Sequence, residues 1–121
     1  IPGTLDVTGV GTFDAATRGA IGTLSDAATI TPDFSAANHF SVTLAGNRTL
    51  ANPTNIVAGQ SGAIFITQDG TGSRTLSYGT YWKFAGGTAP TLSTAAGAVD
   101  MLVYVVKSST EIYASLSNNM S

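Results

Sequence analysis

Apolar and polar residues alternate along several short stretches of the chain. The clearest stretch is residues 40–44, Phe-Ser-Val-Thr-Leu, and residues 62–68 and 112–117 follow the same period of two. Because successive side chains of a β-strand point to opposite faces, this alternation predicts strands with one buried face. Residues 74–78 and 81–84, rich in threonine or aromatic side chains, are interpreted as further strands.

The longest apolar run is at residues 99–106. Its spacing also fits a helix, but its density of valine favours a strand, because β-branched side chains suit extended backbone. Apolar residues fall on both faces of this strand, as in a central strand or in one that is buried in a subunit contact. Val99, Val103 and Val105 are therefore the candidate subunit-interface residues.

Turn-forming residues separate these strands. Ala-Gly-Asn-Arg at 45–48 and Asp-Gly-Thr-Gly-Ser at 69–73 are typical turns, and the second predicts a hairpin. About seven or eight short strands, with turns roughly every 8–12 residues, predict an all-β fold, an antiparallel β-sandwich of the jelly-roll kind. Composition agrees, since charged residues are only 10% of the chain and surface helices rely on Glu, Lys and Arg.

The first 27 residues differ from the rest. The tripeptide Gly-Thr-apolar occurs at residues 3–5, 11–13 and 22–24. Leu5 and Val7 alternate with polar residues, which predicts a short strand. We predict a connecting segment at 1–27 and a sandwich domain at 28–121, and the sequence leaves open whether the segment is a strand of the sandwich or the end of a fibrous stalk. Because the first residue is Ile1, we expect a processed chain or a piece of a longer one.

The chain carries little charge. Five basic and seven acidic residues give a net charge of −2, which excludes nucleic-acid binding by phosphate neutralisation. No apolar run approaches about 18 residues, so we predict no membrane insertion. There are no cysteines, which excludes disulfides and thiolate metal sites. A surface with so few charges is typical of subunits that pack against copies of themselves.

Residues with catalytic chemistry are isolated in the sequence. His39 is the only histidine, so one chain cannot form a histidine metal site. Ser61 is in the sequence Gly-Gln-Ser-Gly-Ala, which has alanine where a nucleophile elbow has its second glycine. Elbow enzymes also place their histidine after the serine, whereas His39 precedes Ser61. The seven carboxylates never occur as a close pair, whereas glycosidases need two placed carboxylates. We therefore predict a protein without enzymatic activity, cofactor or metal.

Aromatic residues cluster within residues 78–84. Such rings stack on sugars in carbohydrate sites, and the alternative is that one face fills the core while the other packs on a partner. Nearby, Asp69 and Arg74 flank a glycine-rich turn that lacks the Lys-Ser/Thr of a phosphate loop. Arg74 is predicted to pair with Asp69 or with a neighbouring chain. Tyr81, Trp82, Asp69 and Arg74 are the candidate receptor or interface contacts.

An ordered set of segments carries a resemblance to a known family. The segments are 43–50 (Thr-Leu-Ala-Gly-Asn-Arg-Thr-Leu), 68–76 (Gln-Asp-Gly-Thr-Gly-Ser-Arg-Thr-Leu), Trp82, 86–92 (Gly-Gly-Thr-Ala-Pro-Thr-Leu) and 98–100 (Ala-Val-Asp). Together, over about residues 30–116, they resemble the C-terminal β module of tailed-bacteriophage appendage proteins, of the tail-fibre, spike or head-fibre type. The opening Gly-Thr-Leu-Asp-Val-Thr-Gly is similar to the stalk sequence that often precedes such modules.

The resemblance implies a structural protein of the virion that forms a homotrimer. It leaves open whether the protein is on the tail or on the capsid. It implies contacts with other virion proteins and a part in attachment to the host surface, with a cell-surface glycan as the candidate receptor. It supplies no catalytic residues. Two rival interpretations stay open: a carbohydrate-binding adhesion module that uses Tyr81 and Trp82 with loops 69–74 and 85–92, and a fragment of a polysaccharide depolymerase.

Overall fold

Nine β-strands make up the regular structure of residues 7–121, the part of the chain that the computed structural model describes. They are β1 (Ile21–Thr23), β2 (Thr29–Ile30), β3 (His39–Leu44), β4 (Arg48–Leu50), β5 (Ser61–Gln68), β6 (Leu76–Tyr78), β7 (Trp82–Phe84), β8 (Val99–Ser108) and β9 (Glu111–Ser117). One 3-10 turn, Ala85–Gly87, is the only helical element in that range. The all-β prediction is therefore confirmed.

Strands β1 to β6 alternate between two sheets, so the chain winds in three coils. β1, β3 and β5 are neighbours in a six-stranded sheet, and β2, β4 and β6 form a three-stranded sheet. All neighbouring pairs within these two sets are parallel. The register offset between coils is 18 residues from Ile21 to His39 and 24 residues from Phe40 to Ile64. Parallel pairing is possible because each coil returns through the other sheet.

A hairpin closes the large sheet after the third coil. β8 runs antiparallel to β5, and β9 runs antiparallel to β8. β7 lies parallel to β9 at the far edge, which gives the order β1-β3-β5-β8-β9-β7. The sheets are therefore mixed, a correction to the predicted antiparallel pairing. The turn at 69–73 does not form the predicted hairpin either, because β5 and β6 lie in different sheets. Apolar alternation tells which face of a strand is buried and carries no information about the direction of its neighbours.

The core lies between the two sheets and consists of the inward faces of the strands. Phe40, Val42 and Leu44 are buried, which confirms the alternation predicted for residues 40–44. The other large aliphatic residues of the core are Ile30, Leu50, Ile64, Ile66, Leu92, Leu102, Val106 and Ile112. Since burying one such side chain contributes about 1.5–3 kcal/mol, this core dominates the stability of the fold.

The end of the predicted connecting segment takes part in this architecture. β1 pairs with β3 through residues 21–23, and Asp26 accepts hydrogen bonds of 2.7 and 2.9 Å from the Arg48 guanidinium. Residues 7–20 are exposed and form no strand. The strand predicted around Leu5 lies outside the described residues. The division of the chain at residue 28 stays a prediction.

Candidate functional site

The outward side of β8 is apolar and exposed. Leu102, Tyr104 and Val106 point into the core, whereas Val103 and Val105 are 42% and 52% exposed. Tyr113 of β9 is opposite Val105, and Phe65 of β5 is opposite Met101, whereas Ser61, Ala63 and Ser115 are the other neighbours of the two valines. We call this surface the outer patch, and it consists of Phe65, Met101, Val103, Val105 and Tyr113. Val99 is half-buried at the start of β8, opposite Thr67.

Charged residues border the outer patch at one corner. Lys107 Nζ lies 3.9 Å from Glu111 Oε2 and 5.6 Å from the centre of the Tyr113 ring. A hydrogen bond to the Tyr113 hydroxyl raises the pKa of Lys107, and one from the Ser108 hydroxyl lowers the pKa of Glu111. Exposed ion pairs of this kind contribute little to stability. The outer patch therefore offers mainly apolar area to a partner.

A second surface feature is a hollow of about 680 Å³ beside β6 and β7. We call it the aromatic hollow. Tyr78 and Phe84 line it with their rings edge to face, 4.7 Å apart between centres. Lys83 and Pro90 also line it, and Lys83 is exposed. The aromatic hollow thus combines apolar ring surface with one cation.

The hydroxyl of Tyr78 is buried and has no hydrogen-bond partner among residues 7–121. Burial raises the pKa of Tyr78 to about 12, and the negative charge of Asp100 acts in the same direction. Buried polar groups without a partner are uncommon, and they often mark a position where water or a ligand completes the hydrogen bonding. Because this hydroxyl is buried, the surface that Tyr78 offers to the aromatic hollow is that of its ring.

Trp82 belongs to the core. It is only 5% exposed, and its Nε1 donates a hydrogen bond of 3.0 Å to the Ala51 carbonyl oxygen. Its ring packs edge-on against Phe34 and Tyr104, at 6.3 and 6.2 Å between centres. Tyr81 is half-buried and does not line the aromatic hollow, whereas Trp82 does.

Asp69 and Arg74 pair with each other across the predicted turn. Arg74 Nε and Nη2 donate to the two carboxylate oxygens at 3.1 and 2.8 Å. The backbone N–H groups of Thr71 and Gly72 donate to the same carboxylate. The guanidinium is the main cause that lowers the pKa of Asp69 to about 2. Pairing within the turn is one of the two arrangements that the sequence predicted for Arg74.

Two buried polar residues hold the loop that follows this turn. The Gln68 side-chain N–H groups donate to the carbonyl oxygens of Arg74 and Ser93 at 2.9 and 2.8 Å. Asp100 accepts hydrogen bonds of 2.7 Å from the backbone N–H groups of Ser93 and Asn119. Sequence reasoning missed both. Each occupies an inward position in the two-residue period of its strand, which is the signal that could have found it.

Among residues 7–121, the hydrogen bonding of His39 involves the backbone and not a serine hydroxyl or a carboxylate. His39 Nδ1 accepts a hydrogen bond of 3.2 Å from the Ala63 backbone N–H, so this ring atom takes part in the sheet. Within residues 7–121 no group of three or more His, Cys, Asp or Glu side chains is placed to hold a metal ion. In the same range no helix is long and apolar enough to cross a membrane.

Comparison with known proteins gives one match. Residues 30–109 match the model of a family described as "Putative phage tail fibre C-terminal domain". The matched region runs from the end of β2 to just after β8, so it includes the aromatic hollow and the outer face of β8. No curated protein and no solved structure matches the chain.

Proposed function

The chain belongs to this family of phage tail fibre C-terminal domains, and from that membership we propose that it is a non-enzymatic, homotrimeric module for virion assembly and host-surface attachment. Membership itself implies a structural, virion-associated protein that associates with other virion components. The proposal adds threefold assembly through the outer patch, with Val99, Val103 and Val105 in the subunit interface.

The exposed outer patch is the observation that carries the proposal. Met101, Val103 and Val105 follow one another on the outward face of β8, with Phe65 opposite Met101 and Tyr113 opposite Val105. Covering apolar area contributes about 25 cal/mol per Å², and a persistent contact buries roughly 1,000 Å² or more in total. Closed symmetry also limits the number of open sheet edges. A fibre module that packs three such faces together would cover the patch.

The absence of enzymatic activity is supported by the engagement of the polar groups. His39 takes part in a backbone hydrogen bond, and Asp69 is held by Arg74 and by two backbone N–H groups. In the described part of the chain, neither group is hydrogen-bonded to a serine or threonine hydroxyl, the arrangement that a general base and its nucleophile require. Incubation with host capsule polysaccharide is therefore expected to leave polymer length unchanged.

The mass of the purified chain in solution tests the assembly. Light scattering after size exclusion is expected to give about 37 kDa, three times the 12.2 kDa chain mass. A monomer at high protein concentration would contradict the homotrimer and favour a module that assembles only on the particle.

The aromatic hollow supports a second candidate function, carbohydrate binding. Tyr78 and Phe84 present ring surface, which stacks on the apolar faces of sugars. Lys83 favours an acidic sugar. A glycan array with the wild type and with Lys83→Ala tests this, with Lys107→Ala as the matched control. A saturable signal that Lys83→Ala removes and Lys107→Ala preserves would support it, and no signal would leave the module purely structural.

A further inference from the structure

The first coil leaves one edge of each sheet open. Within residues 7–121, β1 pairs only with β3, and β2 pairs only with β4. Both open edges lie at the same end of the coil, because β1 and β2 are its first two strands. An open edge presents unpaired N–H and C=O groups and accepts a further strand.

A second hollow lies between these two edges. Its volume is about 350 Å³, and it is lined by Gly22, Leu24, Ile30, Phe40 and neighbouring residues. Ile30 and Phe40 are buried residues of the core, so the core is reached from this end. We call it the coil-end hollow. Its lining is mixed, with Thr23, Ser25, Thr29, Thr31 and Asp33 among the polar residues. The apolar part, to which Leu24, Ile30 and Phe40 contribute, suits a hydrophobic side chain.

The segment that precedes β1 carries apolar side chains without packing partners. Val10 and Phe13 are 95% and 71% exposed. Residues 11–13, Gly-Thr-Phe, repeat the pattern of residues 22–24, Gly-Thr-Leu. In the later copy, Gly22 lies against the Phe40 ring, where a Cβ would approach Cδ1 to 3.2 Å. The tripeptide therefore combines a glycine that permits close strand packing with an apolar residue that faces the core.

We propose that residues 11–13 of a second copy of this chain lie parallel to β1 and that Phe13 of that copy fills the coil-end hollow. By the register of the repeat, Gly11 would lie beside Gly22, Thr12 beside Thr23, and Phe13 beside Leu24. The inference rests on the proposed oligomeric assembly and adds a strand exchanged between subunits.

The length of the connection indicates that the strand comes from another copy. Only residues 14–20 separate Phe13 from Ile21. A parallel neighbour within one chain needs a crossover of about a dozen residues or more, and the first coils of this chain are offset by 18 residues. Residues 11–13 of the same chain are therefore too close in sequence to pair in parallel with β1.

Disulfide cross-linking tests the pairing directly, because the chain has no cysteine of its own. Thr12→Cys chains and Thr23→Cys chains with different affinity tags are co-expressed and oxidised. Adjacent strands are about 4.8 Å apart, within the spacing that a disulfide accepts. We expect the Thr12→Cys and Thr23→Cys chains to give about tenfold or more of the mixed dimer that Thr12→Cys and Thr110→Cys chains give. The reason is that docking of residues 11–13 beside β1 raises the effective concentration of the two thiols. Adding Phe13→Ser is expected to lower the yield, and adding Val57→Ser, at an exposed site elsewhere, is expected to preserve it.

The outcomes separate this inference from the proposed function. If Thr23→Cys and Thr110→Cys give equal yields of mixed dimer while the protein has the mass of three chains, the exchanged strand is overturned. The proposed homotrimer would then still stand. A disulfide within one Thr12→Cys/Thr23→Cys chain would show that residues 11–13 pair with β1 of their own chain, and it would overturn the exchange between copies. A higher yield of mixed dimer with Thr4→Cys than with Thr12→Cys would assign the open edge to another segment and would also overturn the proposal. A monomeric mass would overturn both proposals.

Discussion

The hydroxyl of Tyr104 donates a hydrogen bond of 2.6 Å to the carbonyl oxygen of Asn38. Tyr104 is in β8 and Asn38 immediately precedes β3, so the bond crosses over β5, which lies between them in the sheet. Gly62 of β5 is directly opposite Tyr104 in the register. Because Gly62 has no side chain, the Tyr104 hydroxyl and the Asn38 carbonyl can meet above it.

Gly62→Ala is expected to lower the free energy of unfolding by about 2 kcal/mol or more, the usual result of forcing extra atoms into a packed site. A Cβ at this position would overlap the Asn38 carbonyl oxygen. Urea unfolding followed by circular dichroism measures the change. Gly70→Ala is the matched control, because a Cβ at Gly70 meets no atom within 4 Å. Equal stabilities of the two variants would contradict the close approach.

Tyr104→Phe is expected to cost about 1 kcal/mol of stability, because it removes the donor to Asn38 and keeps the ring. Tyr113→Phe is the control, since the hydroxyl of Tyr113 is in an exposed cluster with hydrogen bonds of 3.3 Å. The two unfolding midpoints in urea are compared. A larger loss for Tyr113→Phe would show that the bond to Asn38 is unimportant.

Tyr78→Phe is expected to raise the free energy of unfolding, whereas Tyr104→Phe lowers it. The hydroxyl of Tyr78 is buried without a partner in the described residues, so its removal relieves a desolvation cost and is expected to stabilise the chain by up to about 1 kcal/mol. Thermal or urea unfolding measures this. A loss of stability comparable to that of Tyr104→Phe would indicate that a bound water or ligand completes the hydrogen bonding of Tyr78.

Val103→Asp is expected to dissociate the assembly and leave each chain folded. The side chain points outward and is partly exposed in the single chain, so a carboxylate is hydrated in a monomer but carries a desolvation cost in an apolar contact. Mass by light scattering and far-ultraviolet circular dichroism report the two effects. Val57→Asp, at an exposed position outside the outer patch, is the control. A trimer that survives Val103→Asp would place the interface elsewhere.

Acid is expected to weaken the turn at residues 69–74. The pKa of Asp69 is about 2 in the folded chain, against an ordinary value of 3.8. Because the folded pKa is the lower one, the stabilisation is complete above about pH 4 and is lost as the pH falls through about 2. Unfolding midpoints in urea at pH 4, 3 and 2 should therefore fall less steeply for Asp69→Asn than for the wild type.

Arg74→Gln is the second arm of that experiment. It removes the guanidinium that lowers the pKa of Asp69 most and keeps the carboxylate. Between pH 4 and pH 2, the unfolding midpoint of Arg74→Gln is expected to fall less steeply than that of the wild type and more steeply than that of Asp69→Asn. The reason is that the backbone N–H groups of Thr71 and Gly72 still donate to Asp69. Slopes identical in all three proteins would exclude this ion pair as a source of acid sensitivity.

The sequence by itself determined the longer strands and which of their faces is buried, whereas the short strands β1, β2 and β4 were not predicted. Residues 40–44 and 62–68 alternate with a period of two, and their predicted inward residues are in the core. The two C-terminal strands and the turn at 69–73 were predictable for the same reason, but the strands that this turn joins belong to different sheets. Side-chain direction along a strand and turn geometry depend only on neighbouring residues.

Only the tertiary structure decided which strands are neighbours and what each face meets. The parallel coils pair residues 18 to 28 positions apart, and no local pattern specifies the path that brings them together. The same holds for Trp82, whose aromatic character is compatible with a binding surface until the second sheet covers it. It also holds for Gln68 and Asp100, because a buried polar side chain is stable only where distant backbone groups satisfy its hydrogen bonds.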